Sequence, residues 1–395
     1  MSNRRRRTRN DVAEQPRRKT RAMVEDIEES IKNPTRKEIS TKTLIPSGST
    51  MLNLACSDNP FAAYGLGKIV TMPGSSSSGK TILMLTAMAE MAIDSRFDDY
   101  KFYYDDGEES LSFDMEYLFE CLAKTEDHPA RLIPPGGYDD DNEPIYSNTI
   151  QDFRLNILSK CQEKKPFIYV LDSLDALTTD EELEKEYKKA ILMAKGDIAA
   201  IKALTGSYNT EKAKILGQAL RMINGAIKKT HSALFIVQQI RQKIGVMFGK
   251  QTTTSGGNAP FFYSSHQVWL NKTNQIKNPK YGLKIGNSVT AEITKNKLVG
   301  KLRDVKFDVF PDYGIDDIGS MIDYLCTSKA WKKGGSRITP IGFNDIEAGG
   351  ETFFKKDLVK IIERDNAEND IKKLCGETWN RIEEAVKLSD RKRKY

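Results

Sequence analysis

The clearest chemistry in the chain lies in Gly74-Ser75-Ser76-Ser77-Ser78-Gly79-Lys80-Thr81, which fits G-x-x-x-x-G-K-[ST] without a mismatch. Gly74 and Gly79 permit backbone angles that a Cβ resists, so the loop can curl until successive N–H groups, those of Ser75, Ser76, Ser77 and Ser78 among them, point at one anion. Lys80 would bring a full charge to the β- and γ-phosphates of a nucleotide, and the Thr81 hydroxyl would ligate Mg²⁺. Two acidic positions extend this chemistry. Phe167-Ile168-Tyr169-Val170-Leu171-Asp172-Ser173 reads as a buried strand ending in an acid, and Asp172 would hold the metal's water shell. Lys101 to Tyr104 reads as a strand followed by Asp105, Asp106, Glu108 and Glu109, acids that either form a solvated turn or lie where ligands bind in open α/β sheets. One of them would orient or deprotonate an attacking water, and Glu108 is the first choice.

These residues need a frame. Gly67 to Met72 has the β-branched content of a buried strand, Pro73 ends it, and Thr81 to Ile93 is rich in helix formers. The loop therefore sits between strand and helix, where the helix N-terminus adds partial positive charge. Helices are expected over Phe113 to Lys124, Thr149 to Cys161 and along Glu181 to Lys229, and a further buried strand over Ser232 to Val237, closed by Gln238-Gln239. Strands alternating with helices predict a mostly parallel sheet covered on both faces. Ser265 to Lys272, Ser288 to Thr294 and Asp304 to Phe310 alternate as antiparallel strands do, with Lys295-Asn296-Lys297 between the last two.

A second informative stretch runs from Ile240 to Asn258. It mixes Arg241, Lys243 and Lys250 with Ile244, Gly245, Val246, Met247 and Phe248, then ends Thr252-Thr253-Thr254-Ser255-Gly256-Gly257-Asn258. The small and hydroxylated residues predict a mobile loop. Apolar residues beside basic ones on such a loop suit insertion between, or stacking on, the bases of a single strand; the plain alternative is a surface loop.

The 395 residues allow one to three domains, and the net charge of +6 says less than its distribution. Residues 1–45 form a basic arm (Arg4 to Arg7, Arg9, Arg17-Arg18-Lys19, Arg21) with a helix candidate at Met23 to Lys32, suited to nucleic-acid phosphate or a neighbouring subunit. Residues 46–328 are expected to be the core, and residues 329–395 a small mixed region with helices at Asp357 to Glu363 and Asp370 to Leu388 and a basic tail, Arg391 to Lys394. No apolar run reaches the ~20 residues that cross a bilayer. Met1 to Arg21 lacks the apolar region of a signal peptide, and the five scattered cysteines fit reduced thiols in a cytoplasmic protein.

From about Gly67 to Asp323 the chain resembles the bacterial RecA recombinase and its phage relatives. The most specific likeness is Gln239 to Gly249 followed by Thr252 to Asn258, which resembles the family's second DNA-binding loop; Gly74 to Thr81 and Leu171 to Thr178 resemble its phosphate loop and Walker B segment. The resemblance implies a RecA-like ATPase fold that binds ATP and Mg²⁺, polymerises as a helical filament on single-stranded DNA and pairs it with duplex DNA. It also implies roles: Gln239 as γ-phosphate sensor, Lys295 and Lys297 as a pair reaching the neighbouring subunit's ATP, Asp114 and Tyr117 beside the adenine, Phe262 across the subunit boundary, and Arg241, Lys243, Ile244, Gly245, Val246, Met247, Thr254, Gly256, Gly257 and Asn258 on DNA. Three departures stand out. The region Tyr187 to Ser207 is longer, Pro260 sits just after the second loop, and the tail is basic where the family's is acidic; the turn carrying Glu108 is also lengthened by about two residues, and the longer insert, divergent terminal region and basic arm suit a phage or prophage member. A ring helicase and a non-hydrolysing DNA-binding accessory ATPase are the alternative readings of the same core.

Overall fold

The computed structural model describes residues 41–109, 111, 114–124, 130–196, 209–242, 252–343 and 351–387. The basic arm, the helix candidate Met23 to Lys32, Lys243 to Met247 of the expected DNA loop, and the tail Arg391 to Lys394 lie outside the described residues.

Five strands lead into the site: β1 (Ile69–Gly74), β2 (Lys101–Asp106), β3 (Leu132–Ile133), β4 (Phe167–Asp172) and β5 (Ala233–Gln242). Five follow: β6 (Thr252–Thr254), β7 (His266–Lys277), β8 (Lys284–Asn296), β9 (Asp304–Phe310) and β10 (Gly314–Asp316). They form one sheet in the order β10-β9-β8-β7-β1-β5-β4-β2-β3, with β6 paired to β5 off that path. Neighbours from β7 through β1 to β3 are parallel; β7 to β10 is an antiparallel meander.

The helices explain why the central strands are apolar throughout. They are α1 (Thr50–Ser57), α2 (Lys80–Ala92), α3 (Met115–Phe119), α4 (Ile150–Gln162), α5 (Asp180–Ala194), α6 (Asn209–Lys229), α7 (Ala259–Tyr263), α8 (Asp317–Thr327), α9 (Lys355–Arg364) and α10 (Glu368–Ala385). Successive strand residues point to opposite faces. Val70, Val170 and Phe235 pack with residues of α1, α2, α8 and α10 on one face. Ile69, Tyr169, Leu171 and Ile236 pack with Phe153 and Ile157 of α4 and with Leu216, Leu220 and Ile223 of α6 on the other. A parallel sheet covered on both faces cannot alternate polar with apolar residues. Among the described residues no helix is long and apolar enough to cross a membrane.

Four local expectations change. The region Glu181 to Lys229 is not one helix: α5 ends at Ala194, Gly196 follows in the left-handed region at φ 72°, and α6 starts at Asn209. Of Phe113 to Lys124, only Met115–Phe119 is α-helical. β5 does not stop at Gln239 but runs to Gln242, because Ile240, Arg241 and Gln242 pair antiparallel with Thr254, Thr253 and Thr252. The three β-branched threonines suit a strand, so both ends of the supposed loop are a paired ladder. Lys295 and Asn296 likewise belong to β8, opposite Gln267 and His266.

The last helix is fastened to the core by charge. Glu383 of α10 accepts from Arg303 Nε at 2.6 Å and lies 2.9 Å from Lys301 Nζ. Lys301 also meets Asp58 at 2.8 Å, and Trp379 Nε1 of α10 donates to Asp58 at 3.0 Å. The hydrogen bond from Arg303, helped by Lys301, pulls the Glu383 carboxyl down to about 2.

Candidate active site

The phosphate loop leaves the carboxyl end of β1 and enters α2. Gly79 caps α2 at φ 83° and Ser77 lies at φ 56°, both left-handed, so the curl expected from the glycine spacing is present. A Cβ on Gly74 would stand 2.5 Å from Ser78 Oγ, which shows how tightly the loop closes. Lys80, only 9% exposed, donates to the Gly74 carbonyl at 3.1 Å and the Ser75 carbonyl at 2.8 Å. Burial lowers its pKa; the negative charges of Asp172, Glu108 and Asp175 oppose that. Ser78 Oγ is buried, and among the described residues it has no hydrogen-bond partner. Beside the loop a cavity of about 260 Å³ is lined by Ser77 to Ile82 and, opposite, by Asn287, Val289, Val309 and Pro311 of the antiparallel strands and the turn after β9.

Parallel pairing aligns Asp106 of β2 with Asp172 of β4. Asp172 Oδ2 accepts from Thr81 Oγ1 at 2.6 Å and from Tyr104 OH at 2.8 Å. Burial raises the Asp172 pKa, those two hydrogen bonds lower it, and the charges of Glu108 and Asp106 push it up again. A hydroxyl and a buried carboxylate converging beside a buried lysine fit a hard divalent cation and the phosphates it accompanies; the Ser78 hydroxyl fits the same reading.

The acidic cluster after β2 divides by strand alternation. Asp105 points to the opposite face, where it accepts from Tyr169 OH at 2.5 Å and from the Ser147 N–H at 2.8 Å. It is a buried structural acid. Asp106 accepts from the Leu111 N–H at 2.9 Å, and Glu109 is exposed at φ 48°. Glu108 turns into the site: its Oε1 accepts from Ser173 Oγ and, at 2.8 Å, from Gln239 Nε2. The strand order β2-β4-β5 brings these three together, Glu108 and Ser173 from just after β2 and β4 and Gln239 from within β5.

Gln239 is tied a second time, through its backbone N–H to Asp175 Oδ2 at 2.7 Å. Arg241 Nη2 lies 3.3 Å from Asp175 Oδ1. Gln238 Nε2 donates to the Ser255 carbonyl at 2.9 Å, joining the two ends of the hairpin. Thr254 is paired in β6, Gly257 and Asn258 are exposed, and Gly256 at φ 80° packs against Leu216 and Leu174.

The other expected residues lie elsewhere. Lys295 lies in the last residues of β8 and Lys297 just after it, where β8 pairs with the start of β7, which itself runs beside the start of β1, away from the phosphate loop. Lys295 Nζ donates to the Phe261 and Phe262 carbonyls, the latter at 3.1 Å, and stands 4.6 Å from the Phe261 ring centroid. Lys297 Nζ reaches the Phe262 carbonyl at 3.5 Å. Burial, with repulsion from Lys297, lowers Lys295 to about 8. Phe262 is 65% exposed. Asp114 caps α3 by accepting from the Tyr117 N–H at 3.0 Å, and Tyr117 is exposed; neither lines the cavity at the phosphate loop. Tyr104, Ser173 and Asp175 were not singled out from the sequence. Their one signal is polarity on or just after strands that are otherwise apolar.

A β-strand, a glycine-bounded loop around a buried lysine, a helix, and an acid on a parallel strand one position beyond the neighbouring strand define an α/β core of the RecA-like type. A family model described as the RecA N-terminal domain matches residues 167–316. The Protein RecA of Bacteroides thetaiotaomicron is 30% identical over 326 residues, covering 82% of this chain and 84% of that protein. The Protein RecA of Porphyromonas gingivalis is 29% identical over 359 residues, 91% of this chain and 89% of that protein, and the Protein RecA 2 of Myxococcus xanthus 29% over 292 residues. The chain belongs to the RecA family.

Proposed function

We propose that the protein is a DNA-dependent ATPase that forms filaments on single-stranded DNA and promotes homologous pairing and strand exchange. Residues 46–328 act as the catalytic core in this reading, and the basic arm and residues 329–395 assist assembly. The observation that carries it is the Glu108–Gln239 hydrogen bond, which joins the candidate catalytic acid to the strand that becomes the loop hairpin.

In this reading the N–H groups of Ser75 to Thr81 hold the phosphates, and Lys80 leaves its two carbonyl partners for the β- and γ-phosphates. Thr81 and Asp172 hold Mg²⁺, which supplies charge to the transferring phosphoryl group. Glu108 positions the attacking water and accepts its proton. Gln239 exchanges Glu108 for the γ-phosphate, and the hairpin follows it because Gln238, the neighbouring residue, is tied to Ser255 on the far side of the loop. Lys295 and Lys297 face the ATP of the next subunit, where two cations act as an arginine finger would. Phe262 beside them suits a subunit boundary.

The test is ATP hydrolysis with and without single-stranded DNA, at low and moderate salt, followed by strand exchange between homologous DNAs. Salt-sensitive stimulation with strand exchange is the expected result. ATP binding without turnover would overturn the catalytic assignment, and fork unwinding without pairing would replace the recombinase with a helicase.

A further inference from the structure

The Walker B segment holds an acid that the chemistry above does not use. Asp175 lies three residues after Asp172, and its side chain is 7% exposed. A carboxylate that deep needs donors or a cation. It has one of each, and both come from β5. Oδ2 takes the backbone N–H of Gln239, and Oδ1 faces the guanidinium of Arg241 at 3.3 Å. Among the described residues Oδ1 accepts no aligned hydrogen bond, so its hold on Arg241 is electrostatic. The Arg241 side chain is 63% exposed at its other end. An ion pair with one well-exposed member is weak enough for a nucleic-acid phosphate to compete with it.

The geometry points to a specific role: we propose that Asp175 is a positioning residue that holds Arg241 away from DNA until nucleotide is bound. The inference rests on the proposed function, since it takes Gln239 as the γ-phosphate sensor. Gln239 and Arg241 are alternate residues of one strand, and one carboxylate grips both. When Gln239 leaves Glu108 for a phosphate, the strand carries its N–H and Arg241 relative to Asp175. The loss of one contact weakens the other, and Arg241 is released to a DNA phosphate. Lys212 is close enough for its charge to interact with both Asp175 and Arg241, and Glu182 is close to Lys212. Lys212 itself donates to the Leu177 carbonyl, which keeps it beside the pair as a standing competitor for Asp175.

The test measures binding of full-length protein to fluorescent oligothymidylate by anisotropy, across a salt series, without nucleotide and with a non-hydrolysable ATP analogue. Asp175→Asn keeps an acceptor for Gln239 and removes the charge that holds Arg241. It is expected to tighten nucleotide-free binding about three- to ten-fold and to steepen the salt slope by up to about one, while binding with the analogue stays near wild type. Equal tightening in both states would mean that only bulk charge had changed, and no tightening would mean that Arg241 is not held; either overturns the proposal. If Asp175→Asn does not fold, Arg241→Gln decides the question. It should weaken binding with the analogue by several-fold more than it weakens nucleotide-free binding; equal weakening in both states overturns the proposal. Wild-type protein separates the two levels: if it fails to bind oligothymidylate more tightly with the analogue, the proposed function has failed, not the role of Asp175 alone.

Discussion

The two ends of the central sheet differ in how completely they satisfy their charges. At the carboxyl ends of β1, β2, β4 and β5, acids and bases converge within one chain: Lys80 lies within reach of the charges of Asp172, Glu108 and Asp175, and Thr81, Tyr104, Ser173 and Gln239 occupy carboxylate oxygens. At the other end Lys295 and Lys297 are held by carbonyls, and among the described residues neither makes an ion pair. Burial first, and repulsion from Lys297 second, lower the pKa of Lys295. One end is closed on itself; the other would be completed by negative charge from outside. That contrast is what a nucleotide site shared between subunits requires.

The contrast can be broken most sharply by mixing variants. Lys80→Ala should lower DNA-stimulated ATP hydrolysis by about 10²-fold or more, since a buried cation aimed at the phosphoryl group is lost. Lys295→Ala/Lys297→Ala should lose comparable turnover yet still bind ATP. A mixture of the two should exceed the sum of its parts, because some interfaces then pair an intact loop with intact lysines. Additive activity in a phosphate-release assay would mean that the lysines do not act across a boundary.

A smaller effect lies in the coupling. Gln239→Ala should leave ATP binding intact and remove the tightening of single-stranded DNA binding by ATP, a loss of about ten-fold or more; unchanged tightening, read by anisotropy, would remove Gln239 as the sensor. Next is pH. Lys295 loses its proton through about 8, so hydrolysis that depends on its charge should fall between pH 7 and 9 and stay flatter in Lys295→Arg. An unfolded lysine keeps its proton to about 10.4. The unfolded chain therefore binds more protons in this window, and the Lys295 contribution to stability rises with pH while activity falls. Parallel trends in thermal unfolding and turnover would sink the assignment.

The smallest functional effect is expected far from both ends. Glu383→Gln loosens α10 from Arg303 and Lys301, costing roughly 1–3 kcal/mol, with ATP turnover unchanged. The Glu383 carboxyl is depressed to about 2. Its contribution is thus present above the ordinary glutamate pKa of about 4.3 and lost as pH falls toward 2. Equal acid sensitivity of wild type and variant in thermal melts would remove the clasp.

Much of this was legible because it is local. Gly74 to Thr81 specifies its curl by glycine placement, Phe167 to Asp172 specifies a buried strand by unbroken apolar character, and both were found where they were expected. The ends of β5 and β8 were not legible, since each is extended by a partner strand that propensity along one segment does not reveal. The choice among Asp105, Asp106, Glu108 and Glu109 needed the pleat and the neighbouring strand.

The sequence by itself determined the phosphate loop, the apolar strands and the family likeness, because contiguous residues set backbone angles and burial. Only the tertiary structure decided that Glu108 meets Ser173 and Gln239, that Asp175 grips Arg241, and that the lysine pair turns away from its own loop. The first three of those contacts join positions 65, 131 and 66 residues apart. They exist because strand order places β4 between β2 and β5, an outcome of packing the whole sheet that no single segment encodes.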